Sequence, residues 1–150
     1  MLHYQIEFDD YRQHLIHVTL RFLADPTQVL LLPTWIPGSY LIREFSKHLE
    51  SVKAYDEDGR ILQIQKFEKN KWRLFNTDHE LITVEYDVYA YDLSVRGAYV
   101  DQTRLYVNPA CACLGLEGQE DKAIEVEVFL PEELKHFQLA TGLENKSLVK

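Results

Sequence analysis

Apolar and polar residues alternate with a period of two along most of this chain, and no stretch sustains the 3.6-residue period of a long amphipathic helix. Alternation sends successive side chains to opposite faces, so such segments are stable as strands with one face against a core. From His14 to Phe22 the run places Ile16, Val18, Leu20 and Phe22 on one face and His17, Thr19 and Arg21 on the other. Leu81 to Ala90 repeats the pattern with Ile82, Val84, Tyr86, Val88 and Ala90. These even positions are the expected core. A further run through Ile124, Val126, Val128 and Leu130 stops at Pro131, which has no N–H to give to a ladder.

Turn chemistry divides the middle of the chain. Ser51 to Asp56 and Arg60 to Phe67 flank Asp58-Gly59, a dipeptide suited to the positive φ of a tight hairpin. Glu68-Lys69-Asn70-Lys71 and Asn76-Thr77-Asp78-His79 bracket a short strand from Trp72 to Phe75, so a meander is expected from Ser51 to Tyr91. Strand-like runs recur about every 8–12 residues, the spacing of a sandwich or barrel. With 150 residues, 46% of them hydrophobic, and neither repeats nor flexible linkers, the chain reads as one domain over 1–150. The expected fold is all-β, an antiparallel β-sandwich with short helical turns in its connections.

Charge narrows the partners. The 24 acidic side chains outweigh 16 basic ones for a net charge of −8, which provides no basic stripe for nucleic acid or an anionic membrane. The aliphatic run Val29 to Leu32 is far short of the ~20 residues of a membrane helix, and no basic region followed by an apolar one opens the chain. Cys111 and Cys113 are too close for a relaxed disulfide and lack the second pair of a structural zinc site, so reduced thiols in a cytoplasmic protein are expected.

Two segments break the alternation. Leu32-Pro33-Thr34-Trp35-Ile36-Pro37-Gly38-Ser39-Tyr40-Leu41-Ile42-Arg43-Glu44-Phe45 is stiffened by two prolines and leads into an expected helical stretch from Leu41 to Leu49. Tyr91 to Asp101 is a long connection carrying Arg96, Tyr99 and Asp101. Two readings stay open for both: crossings between sheets, with Arg43 and Glu44 in a solvated ion pair, or preplaced recognition loops. His14 and His17, three apart in an expected strand, fall on opposite faces and cannot share one ion. No zinc-binding His-Glu-x-x-His, nucleophile elbow or phosphate loop occurs, and Ser39 reads as a turn residue.

The Leu32 to Phe45 segment, Lys69-Asn70-Lys71-Trp72-Arg73, Val88-Tyr89-Ala90-Tyr91-Asp92-Leu93-Ser94-Val95-Arg96 and Tyr99-Val100-Asp101 occur in order. Together they resemble the N-terminal domain of the glycyl aminopeptidase family of zinc metallopeptidases, over nearly the whole chain. The resemblance implies a β-sandwich ahead of a thermolysin-like zinc domain and a PDZ-like domain, neither present here. The chain then reads as one piece of a longer cytoplasmic enzyme that removes N-terminal residues such as glycine or alanine. Its partners are its own catalytic domain and peptide substrate; zinc belongs to the missing domain, and no catalytic or metal residue maps onto this chain. The task of recognising a protonated α-amine makes Glu44 and Asp101 candidate substrate carboxylates, Arg43 and Arg96 their holders, and Tyr40 and Tyr99 pocket walls. The rival is a standalone sandwich that binds peptide or carbohydrate, or that dimerises.

Overall fold

The two long alternating runs lie side by side at the centre of the larger sheet. They are β2 (Leu15–Leu23) and β8 (Leu81–Tyr89), antiparallel and in register from Leu15 opposite Tyr89 to Leu23 opposite Leu81. The computed structural model describes residues 1–32, 48–75, 77, 80–91 and 98–141. The expected even positions of both runs are all buried, none more than 1% exposed.

Around that pair the larger sheet runs in the order β12, β1, β2, β8, β4, β5, adding β1 (Leu2–Glu7), β4 (Leu49–Tyr55), β5 (Ile61–Leu62) and β12 (Ile124–Phe129). The second sheet has the order β11, β3, β7, β6, from β3 (Val29–Leu31), β6 (Ile64–Glu68), β7 (Lys71–Leu74) and β11 (Gly115–Leu116). Leu30, Trp72, Leu74 and Leu116 from the second sheet join Tyr4, Val18, Leu20, Val84 and Tyr86 from the first in one apolar cluster. The all-β expectation is met. Among the described residues no helix is long and apolar enough to cross a membrane.

Several details differ from the reading of the sequence. β12 pairs with β1 in parallel, so the larger sheet is not purely antiparallel. The expected meander is interrupted: β4 and β5 form the Asp58-Gly59 hairpin in the first sheet, with Gly59 at φ 81, but after Gln63 the chain enters the second sheet for β6 and β7 before returning as β8. One continuous alternating pattern serves both sheets, because each contributes one face to the same core. Leu49 opens β4 rather than closing a helix; the rest of that expected helix, up to Lys47, lies outside the described residues. His14 is not in a strand. It caps a 3₁₀ turn at Tyr11–Gln13 in the left-handed conformation, φ 61 and ψ 34.

Two buried tyrosines fix the segment between α1 (Pro109–Ala112) and β11. Tyr4 donates to the Leu114 carbonyl at 2.6 Å, while the Tyr86 hydroxyl donates to the Ala112 carbonyl at 2.6 Å and accepts from Leu114 N–H at 3.0 Å. Burial, with a smaller contribution from Cys113, pushes the Tyr4 phenol up, so it stays a donor. Cys113 is half-buried and not in a disulfide.

Candidate functional site

Beyond β8 the chain reaches Tyr91, which bridges to Tyr99 in β9 (Ala98–Val100), and β9 forms a hairpin with β10 (Leu105–Val107). The long connection expected from Tyr91 to Asp101 thus ends in a strand of this hairpin. Its turn is built on Asp101. Oδ1 accepts from Thr103 N–H at 2.7 Å, Thr103 Oγ1 at 2.7 Å and Arg104 N–H at 2.9 Å, and Asp101 N–H donates to the Arg104 carbonyl at 3.0 Å. An Asp with a Thr two residues on is the usual side-chain mimic of a backbone turn, a signal present in the sequence.

The second Asp101 oxygen, Oδ2, accepts from the Tyr99 hydroxyl at 2.6 Å. That bond and those from Thr103 hold the Asp101 carboxyl well below the usual carboxylate range. The same bond is the main reason the Tyr99 phenol is pushed up: Asp101 favours the protonated hydroxyl that donates to it. The pair is therefore an anion and a committed donor, with Arg104 standing 5.2 Å from the Tyr99 ring centroid. Among the described residues Oδ2 accepts this one bond, while a carboxylate oxygen offers about two lone pairs.

His14 ties the hairpin to the main sheet. Its Nδ1 lies 2.7 Å from the Val100 carbonyl, which can only accept, so Nδ1 carries the proton. Its own carbonyl accepts from Ala90 N–H at 2.7 Å, and Val100 N–H donates to the Ala90 carbonyl at 3.0 Å. The imidazole packs 4.2 Å from the Tyr91 ring, which stacks on Tyr99 at 5.3 Å; Tyr89 lies 6.5 Å from Tyr91 and His48 6.4 Å from Tyr89. His17 is directed elsewhere, to Asp87 Oδ1 at 2.8 Å.

Of the candidate residues, the structure brings Tyr99 and Asp101 into direct contact. Tyr40, Arg43, Glu44 and Arg96 lie outside the described residues, as does Ser39. His14, Tyr89 and Tyr91 were not singled out from the sequence for this site. Tyr89 and Tyr91 follow the odd, outward positions of β8, so their exposure was implicit in the alternation. Their meeting with His14 and Tyr99 needed the long-range pairing. No group of three or more metal-ligating side chains gathers among the described residues.

Known proteins supply the context. The Peptidase M61 N-terminal domain matches residues 3–149. The crystal structure of an aminopeptidase N family protein from Idiomarina loihiensis is 42% identical, with a TM-score of 0.94 over 99% of this chain and 25% of that one. This chain thus spans about a quarter of the length of that relative. No curated protein matches it. With a match from residue 3 to residue 149, the chain belongs to the peptidase M61 N-terminal domain family.

Proposed function

We propose that this chain is the noncatalytic N-terminal domain of a zinc-dependent aminopeptidase and helps to shape the substrate cleft of the full-length enzyme. The carrying observation is its family membership together with a relative, itself an aminopeptidase N family protein, of which it spans about a quarter. In this reading the zinc and its chemistry are supplied by the catalytic domain of the parent. Cysteine usage supports a reducing, cytoplasmic compartment.

In this reading the preferred N-terminal residues are small, glycine or alanine, and the α-ammonium group is met by carboxylates. Asp101 supports that role by staying ionised and by having its position set by the turn before any substrate arrives. Glu44 is the second carboxylate, Arg43 and Arg96 hold the pair, and Tyr40 and Tyr99 wall the pocket. The test is steady-state kinetics of the full-length parent on glycyl and alanyl p-nitroanilides, with Glu44→Gln and Asp101→Asn. Loss of a charge-assisted bond to the amine raises KM by about 10–100-fold. Unchanged kcat and KM in both variants, with the fold retained, would remove these residues from substrate recognition.

A further inference from the structure

We propose that the aromatic face formed by Tyr89 and Tyr91, backed by His14 and Tyr99, is the seat on which the remainder of the parent polypeptide packs. This rests on the reading that the chain is one domain of a longer enzyme.

Four separate stretches of sequence converge here, at residues 14, 48, 89–91 and 99, and each ring lies within 4.2–6.5 Å of another. Tyr91 is 54% exposed and Tyr89 42%. Large aromatic rings in contact with one another and open to solvent are the composition of an interface centre rather than of an ordinary solvated surface. The face is also set in advance. His14 is held through Nδ1 by the Val100 carbonyl and through its own carbonyl by Ala90, and Tyr99 is held by Asp101. Groups already fixed lose little conformational freedom when a partner arrives.

The occupant follows from length. The 42%-identical relative is about four times as long as the match, so about three quarters of such a polypeptide must be accommodated around a domain of this kind. Contacts between domains of one chain cover about 600–1,500 Å², with their energy concentrated on a few central aromatic side chains. The opposite end of the same strands exposes the cross-strand pair Leu23 and Leu81, aliphatic side chains that lack the aromatic rings enriched at interfaces.

The test is nitration of tyrosines with tetranitromethane, mapped by peptide mass spectrometry, in this chain and in the full-length parent. Tyr55, half-buried in β4 opposite Thr83 at the far end of the sheet, is the internal reference. In this chain Tyr89 and Tyr91 are expected to react faster than Tyr55. In the parent, Tyr89 and Tyr91 slow by about tenfold or more relative to Tyr55. Equal reactivity of Tyr91 in the two proteins overturns the inference while leaving the aminopeptidase reading intact. A native gene that encodes nothing beyond this chain overturns both. Protection already present in this chain, with a dimer in sedimentation, assigns the face to a second copy and overturns the inference as well.

Discussion

The two ends of the β2–β8 pair are closed in opposite ways. At the Leu23 and Leu81 end, the fully buried Gln28 amide uses all its capacity internally: Nε2 donates to the Val29 and Glu117 carbonyls, and Oε1 accepts from Asp25 N–H and from Gln119 Nε2. Gln119 also donates to the Leu23 carbonyl, and Thr77 donates to the Asp25 carbonyl at 2.7 Å. At the Leu15 and Tyr89 end, the closure is His14, Tyr91, Tyr99 and Asp101, with rings turned to solvent. The buried amide clasp keeps its polar groups inside the protein, while the aromatic end leaves Tyr89 and Tyr91 open to solvent.

Breaking the closed end is expected to have the largest effect. Gln28→Ala strands up to four partners inside the protein, and leaving buried donors and acceptors unpaired costs about 3 kcal/mol in all. For a chain of this length that lowers Tm by roughly 6–12 °C, readable by calorimetry. A drop of under about 1 kcal/mol in urea unfolding would show the clasp to be dispensable and dissolve the contrast.

At the open end the expected stability effect is smaller and depends on pH. The Asp101 carboxyl is held below its ordinary range in the fold, so its contribution is fully present above about pH 4, the unfolded aspartate value, and is lost as pH falls through the lower folded value. Asp101→Asn removes this titration while keeping the shape. The gap in urea midpoint between the unaltered chain and the variant is therefore widest near pH 6 and narrows toward about pH 2. A gap that does not change with pH would mean that Asp101 acts by shape alone.

What the sequence made legible was local. Alternation identified the buried faces of β2 and β8, because burial on one side of a strand writes a period of two into the residues. It was silent on which sheet each strand joins: β6 and β7 alternate like β4 and β5, and the change of sheet at Gln63 follows from packing, not from composition. The clasp was illegible for a different reason. Gln28 and Gln119 are 91 residues apart, and a lone glutamine near a turn looks the same whether solvated or buried. Tyr99 and Asp101 stand out in the long connection after β8, and the family resemblance adds a substrate role; their hydrogen bond is a property of the β9–β10 hairpin, which local sequence does not show. His14 was misplaced because three residues of 3₁₀ turn before β2 shift the start of the strand by one.

That misplaced histidine offers a finer cut through the open end. A non-glycine residue at φ 61 carries left-handed strain of about 1–2 kcal/mol, which glycine does not. His14→Ala loses the bond to Val100 and keeps the strain; His14→Gly loses the bond and relieves it. The glycine variant should thus be more stable than the alanine variant by about 1 kcal/mol, and close to the unaltered chain, in urea unfolding. Equal stabilities would mean that the left-handed turn is not kept in solution.

The smallest effect is expected at the most exposed ring. Tyr91→Ala removes contacts with His14 and Tyr99 and little buried surface, so its effect on this chain stays below about 1 kcal/mol, against about 3 kcal/mol for Gln28→Ala. The comparison is sharpest when both substitutions are carried in the full-length parent. If the aromatic face is covered there, Tyr91→Ala becomes a buried large-to-small substitution whose cost rises to about 3–5 kcal/mol, while the cost of Gln28→Ala is unchanged because its partners are all within this domain. A Tyr91→Ala penalty that stays small in the parent, measured by the unfolding transition of this domain, would place both ends of the β2–β8 pair in the service of the fold alone.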